Sequence, residues 1–196
     1  MKIYDISQEV FGCEVYPGDP APKREVLATM EAGSLYNLTA FSMCAHNGTH
    51  LDAPKHFLRD GASVEALPLE KTVGEAFVAE CSGRLSALDA ETVLKRAERV
   101  GASARRILLK NGTVGEEAAR VFAAYGIDLI GTETQSVASV EETAAVHRIL
   151  LEAGILLLEG IRLKGISEGG YFLSAAPLSL EGADGAPVRA VLIDFQ

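Results

Sequence analysis

The spacing of apolar residues changes character once along this chain. From residue 76 onward, short continuous apolar runs alternate with segments of helical spacing, and glycines punctuate the changeovers. Phe77 to Cys81 is a strand-like run. After it, Val93, Leu94, Ala97 and Val100 fall on one face of a helix that Asp89 is placed to cap and Gly101 to stop. Ile107 to Leu109 predicts the next strand, and Glu116 to Tyr125 the next helix, ended by Gly126. Leu129 and Ile130 mark a short strand, Glu142 to Ala153 a third helix ended by Gly154, and Ile155 to Leu158 a strand apolar on both faces. Such alternation predicts a sheet with a parallel portion covered by helices. Tyr171 to Leu180 and Val188 to Ile193 read as further strands that close the sheet onto the N-terminal part. The first 75 residues are turn-rich, and within them Leu38 to Met43 predicts a strand that delivers His46 at its end. The fold class is α/β, a mixed sheet flanked by helices, in one domain over residues 1–196.

Charge narrows the partners. A formal net charge of −9 leaves no basic face for binding phosphates, which excludes nucleic acid. The small basic groups Lys95, Arg96 and Arg99, and Arg105 and Arg106, read as a solvated helix face and the loop after it. Ile149 to Ile161 is the greasiest stretch, but it carries Glu152 and Glu159 and is too short to span a bilayer. The N-terminus has charge at Lys2 and Asp5 and no signal-like apolar run. Cys13, Cys44 and Cys81 are odd in number and widely spaced, unlike a disulfide framework. These features together place the expected protein in the cytoplasm, away from membranes, with a small molecule as its partner.

All four histidines belong to one candidate site. Three lie in the segment His46-Asn-Gly-Thr-His50-Leu-Asp52-Ala-Pro-Lys-His56, which combines imidazole and carboxylate donors with turn residues. On a straight strand His46 and His50 would sit ~13 Å apart at ~3.3 Å per residue. Two ligands of one ion, each ~2.1 Å from it, cannot be so far apart, so the chain must bend at Asn47-Gly48. The fourth, His147, falls in the third helix. Glu159 follows a buried run at the C-terminal end of its strand, where a carboxylate must be paired, hydrogen-bonded or bound to metal. Three imidazoles and two carboxylates without a cysteine pair suit a catalytic rather than a structural metal, and a hydrolytic one. His56, set beyond Pro54, is the choice for an unligated acid–base group, with a further ligand as its alternative. Cys44 is read as interior packing. Tyr16 would line a substrate pocket or an oligomer contact, while Lys55 and Arg59 need no role beyond exposed charge.

The same string resembles the signature HxGTHxDxPxH of the cyclase family of metal-dependent hydrolases, which includes bacterial kynurenine formamidase and isatin hydrolase. The likeness extends to Tyr16-Pro-Gly-Asp, to Ser136-Val137, to His147 with Glu159 twelve residues on, and to Gly182-Ala-Asp-Gly-Ala-Pro-Val-Arg-Ala. It implies a swivelling β/β/α-type fold, a homodimer or homotetramer, and an amide hydrolase. Arylformamidase-like conversion of N-formylkynurenine to kynurenine and formate is its first expectation; an isatin-like lactam or a lactone is its second, and a metal-binding module without turnover its third. By similarity, His46, His50 and Asp52 would hold one divalent ion, Asp52 and Glu159 would bridge to a second completed by His147, and His56 would move the proton. The ions expected are two Zn2+ per chain, with Mn2+ as the other choice. Two departures bear on the substrate: Tyr16 stands where the formamidase places a tryptophan, and Thr132-Glu133-Thr-Gln-Ser136 replaces an Asp-Thr-Pro-Ser segment.

Overall fold

The computed structural model describes residues 1–195. In chain order its strands and helices are β1 (Lys2–Asp5), β2 (Lys23–Ala28), β3 (Leu38–Ser42), β4 (His50–Asp52), β5 (Val73–Leu85), α1 (Ala87–Arg99), β6 (Arg106–Val114), α2 (Glu116–Tyr125), β7 (Leu129–Thr132), α3 (Thr143–Glu152), β8 (Leu156–Glu159), β9 (Gly169–Ser174), β10 (Gly185–Pro187) and β11 (Val191–Asp194). Nine strands form one sheet in the order β1-β11-β9-β5-β6-β7-β8-β4-β10, and β2 and β3 form a separate ribbon. The run β5 to β8 is parallel, as the alternation of apolar runs and helical stripes requires, and every other neighbour in the sheet pairs antiparallel. β11 returns to pair with β1, so the two termini meet at one edge.

Two apolar cores lie on the two faces of this sheet. On one face α1, α2 and α3 bury Val93, Leu94, Phe122, Val146 and Leu150 against Phe77, Ile107, Leu109, Ile130 and Leu157. The alternate residues of the same strands, among them Val78, Leu108, Leu129, Leu156 and Leu158, point the other way. They meet Leu51 and Ala186 from one end of the sheet and Leu173 and Leu192 from the other. Strands so far apart in the order share a core only because the sheet curls around it. Among the described residues no α-helix contributes to that second core; Ile6, Leu67, Ile161 and Leu163 from loops and Val64 from a single 3-10 turn help to fill it.

Several sequence expectations are corrected in detail. Asp89 does not cap α1. Ser86 does, accepting from the Asp89 N–H, while Asp89 answers at the third helical position by accepting from the Ser86 N–H. Gly101 and Gly126 do end their helices in the left-handed region. The strand expected through Leu180 stops at Ser174, short of Pro177, whose ring nitrogen has no hydrogen to donate to a ladder. Arg106 is not solvated: it is buried and donates to the carbonyls of Lys71, Glu75 and Glu70 beneath β5. β3 does form, but among the described residues its only partner is β2, and Val26, Leu38 and Phe41 on that ribbon stay exposed. Among the described residues no helix is long and apolar enough to cross a membrane.

The reciprocal cap at the start of α1 yields a specific expectation. Ser86→Ala removes the acceptor for the Asp89 N–H and should lower stability by ~1 kcal/mol with the denaturant slope unchanged. Urea unfolding followed by circular dichroism checks it, and an unaltered midpoint would show that the cap contributes nothing.

Candidate metal centre

Strand register brings the distant donors together. β4 lies between β8 and β10, with His50 opposite Glu159, Asp52 opposite Leu157, and Gly185 opposite Asp52. Residues two apart on a strand, and residues directly opposite on an antiparallel pair, share a face. His50, Asp52, Glu159 and Leu157 therefore point together toward the helical layer, and Leu51 points into the other core. α3 packs on this face through Val146, Leu150 and Leu151, and His147 lies on the same buried side of the helix. The expected bend is present, with Gly48 at φ +65° and the Asn47 side chain accepting from the Cys44 N–H. His46 thus comes from this turn, after β3 has ended.

Among the four innermost side chains, each imidazole faces both carboxylates, His50 on one pair of oxygens and His147 on the other. His50 Nε2 lies 3.3 Å from Glu159 Oε2 and 3.5 Å from Asp52 Oδ1. His147 Nε2 lies 3.3 Å from Glu159 Oε1 and 3.4 Å from Asp52 Oδ2. Two atoms each ~2.1 Å from one ion at tetrahedral angles are ~3.4 Å apart, so these spacings are those of ligands rather than of tight hydrogen bonds. Both rings are oriented from behind. His50 Nδ1 faces the Gly48 carbonyl at 3.0 Å and His147 Nδ1 the Thr143 carbonyl at 2.7 Å. A carbonyl accepts only from N–H, so each ring carries its hydrogen on Nδ1 and turns Nε2 to the cluster. His50 Nε2 and Asp52 Oδ2 are buried with no hydrogen-bond partner. Buried polar atoms left in that state are costly, and a divalent cation satisfies both. These residues fit a metal.

His46 and His56 lie next to this set. His46 Nδ1 is 2.8 Å from Asp52 Oδ1, and its Nε2 is 2.9 Å from Oδ2 of Asp184. His56 stacks on His46 with ring centroids 4.0 Å apart, and its Nδ1 is 3.1 Å from the same Asp184 oxygen. The ligand atoms of His46, Asp52 and His56 lie within 4.8 Å of one another, as do those of His50, Asp52 and Glu159. All six histidine and carboxylate residues picked from the sequence thus converge in one place.

Charge in the cluster is mutually sustained. Burial opposes a charged ring at His147 and His46, yet the neighbouring carboxylates prevail. Asp52 and Glu159 hold His147 up at about 10, and Asp52 and Asp184 hold His46 up at about 9. His50 is raised for the same reason. Against complete burial, the imidazoles keep Asp52 well below the usual carboxylate range and Glu159 below it.

A pocket of about 410 Å³ opens over the cluster, a volume suited to a small molecule. Tyr16 and Phe57 supply aromatic surface, while Asp19, Gln135, Ser136 and Thr143 supply polar groups. Tyr16 thus lies in the pocket wall, the first of the two places its loop allowed. Cys44 is corrected: it is half-buried and lines the pocket, with Sγ 3.8 Å from Asp19 Oδ2. Lys55 is tied to the Gly182 carbonyl at 2.7 Å. Asp184 was missed. Its signals in the sequence are an acid set between Gly182 and Gly185 and its place within the Gly182-to-Ala190 stretch that shares the family likeness.

Fold and donor set together define an α/β protein with a divalent-metal centre at a strand end. The chain belongs to the Cyclase family, whose model matches residues 4–139. It is 34% identical over 211 residues to the kynurenine formamidase of Salinibacter ruber (strain DSM 13855 / M31), covering 99% of this chain and 98% of that one. Among solved structures, a predicted metal-dependent hydrolase from Bacillus stearothermophilus is 30% identical with a TM-score of 0.80, covering 97% of each chain. Isatin hydrolase A from Labrenzia aggregata, bound to benzyl benzoate, has the same fold at 22% identity, with a TM-score of 0.83 over 97% of this chain and 93% of that one.

The raised imidazoles set the pH behaviour of the metal-free protein. Their folded values lie above the ordinary 6.5, so the stability they lend is complete below about 6.5 and is lost as pH rises through about 9 to 10. Ligation needs neutral imidazole, so metal affinity should rise over the same interval. Melting temperatures of chelator-treated protein are expected to fall from pH 6.5 to 10, and those of zinc-saturated protein to fall less. A chelator-treated protein that gained stability over that range would contradict the assignment.

Proposed function

We propose that this chain is a divalent-metal-dependent hydrolase of a small-molecule amide, arylformamidase-like, converting N-formylkynurenine and water to kynurenine and formate. The observation that carries this reading is that His50 and His147 each face both Asp52 and Glu159, with two buried donor atoms otherwise unsatisfied, beneath a small-molecule pocket. The 34% identity to a kynurenine formamidase along nearly its whole length supports the substrate class.

His50, Asp52, His147 and Glu159, with His46 beside them, would hold one ion or two, zinc by preference and manganese as the other choice. Such an ion supplies Lewis acidity, polarising an amide carbonyl and lowering the pKa of water toward ~7. The remaining chemistry belongs to the chain. Tyr16 and Phe57 flank a flat aromatic group. Gln135, Ser136 and Thr143 offer hydrogen bonds at the polar rim, and His56 gives a proton to the leaving nitrogen as the C–N bond breaks. His56 suits that work because it is more exposed than the four innermost residues and reaches the pocket from its own short turn after Pro54.

We further infer a homodimer or homotetramer, supported by the exposed Val26, Leu38 and Phe41 of the β2–β3 ribbon, since a lone two-stranded ribbon is barely stable in water. Sedimentation should give a mass above that of the 20.8 kDa chain; a monomer at micromolar concentration defeats that inference.

The test pairs metal analysis with turnover. Hydrolysis of N-formylkynurenine and of isatin is measured with and without chelator, on protein of known metal content. N-formylkynurenine turnover that chelator abolishes is expected; turnover of isatin alone moves the protein to a lactam-opening role, and stoichiometric metal with no hydrolysis of any amide, ester or lactam removes the enzymatic reading. His56→Ala should keep its metal and lose ~10²–10⁴-fold in kcat. A variant that loses the metal instead makes His56 a ligand.

A further inference from the structure

The geometry points to Asp184 as the positioning residue that fixes the ring of His56 for proton transfer. This deepens the proposed function and rests on the role given there to His56. A single oxygen, Asp184 Oδ2, lies 3.1 Å from His56 Nδ1 and 2.9 Å from His46 Nε2. The two rings it joins are stacked with an interplanar angle of 27°. One carboxylate atom thus ties the candidate acid–base ring to the edge of the metal centre.

The main chain around Asp184 is fixed to the segment that carries the histidines. Its carbonyl accepts from the Ala53 N–H at 2.9 Å, and the preceding Ala183 carbonyl accepts from Val64 at 3.0 Å. Gly185, next in sequence, begins β10 opposite Asp52. A methyl group on Gly185 would come within 2.7 Å of the His46 ring and 2.8 Å of the Leu51 carbonyl, so only glycine lets the ring lie there. The Asp184 carboxylate is therefore held at a fixed place relative to both imidazoles, although its side chain is 45% exposed.

The consequence is a choice of tautomer. A carboxylate accepts from N–H, so His56 carries its hydrogen on Nδ1 and presents Nε2 to the pocket. Without Asp184 the ring can turn about its side-chain bonds, and the hydrogen can move to the other nitrogen. Asp184 also lines the pocket, and the role assigned to it is exerted through His56.

Two readouts on zinc-loaded protein test this. The first is the two-bond 1H–15N spectrum of the histidine rings, with His56 assigned by its disappearance in His56→Gln. Wild type should show the Nδ1–H tautomer at His56, and Asp184→Ala should shift it to the Nε2–H form or an average of the two. The second is turnover: Asp184→Ala should lower kcat ~10–100-fold with KM little changed and zinc content intact, and Asp184→Asn, which keeps an acceptor oxygen, should recover part of the loss. An unchanged His56 signal in Asp184→Ala overturns the proposal, as does loss of zinc from that variant. If wild type hydrolyses nothing, the functional reading falls, and the ring spectrum still decides the role of Asp184.

Discussion

The fold is arranged around two carboxylates that cannot be left alone where they are. Asp52 is fully buried and Glu159 nearly so, on adjacent strands and on the face that packs against α3. Moving one unpaired carboxylate into such surroundings is prohibitively costly, and two side by side would repel. The surrounding structure answers this demand from each direction. β4 brings His50, α3 brings His147, the turn at Gly48 brings His46, and the Val137 N–H donates to Glu159 Oε1 at 2.7 Å. The raised imidazoles and lowered carboxylates are two views of one interaction. A cation and the protons it displaces are alternative ways of satisfying the same charge. The cluster therefore binds protons strongly when metal-free, and metal and hydrogen ions compete for it.

How much of this was legible in the sequence depended on the range of the interaction. The 46–56 segment could be read because its constraint is local: donors four residues apart demand a bend, and Asn47-Gly48 supplies one. Glu159 could be read because a lone acid after Leu156-Leu157-Leu158 contradicts its own neighbourhood, and His147 because a cluster open on one side needs a distant partner. The helices were found for the same reason, since a stripe and a terminal glycine lie within one segment. Asp89 against Ser86 shows the limit of such local signals, because each partner of a reciprocal cap looks like a cap by itself.

What stayed hidden was set by pairing between remote strands. Nothing near residue 38 says that β3 will join β2 alone instead of the main sheet, because that depends on which edges are already taken. Arg106 looked solvated because its three acceptors are main-chain carbonyls at residues 70 to 75, and carbonyls leave no mark in a sequence. Asp184 was hidden for a like reason. An acid between glycines is ordinary loop composition, and its meaning comes from β10 lying beside β4, a contact across more than 130 residues.

The position of the pocket follows from the sheet's change of direction. From β5 to β8 the strands run parallel, and each crossover helix lies over the face it returns across. At β8 the pattern breaks, because its next neighbour β4 is antiparallel and carries no crossover helix of its own. A crevice opens at such a boundary, beyond the carboxyl end of the last parallel strand. Glu159 is the last residue of that strand, and the helix just before it carries His147. The antiparallel partner arrives from the turn-rich N-terminal third, which can bend sharply and so can place His46, His50, Asp52 and His56 within a few ångströms. The regular half of the chain gives the rigid wall, and the irregular half gives the density of donors. Neither half could build the site alone, since helices and parallel strands space their side chains too regularly to crowd four donors together, and a loop without a wall would not hold them still.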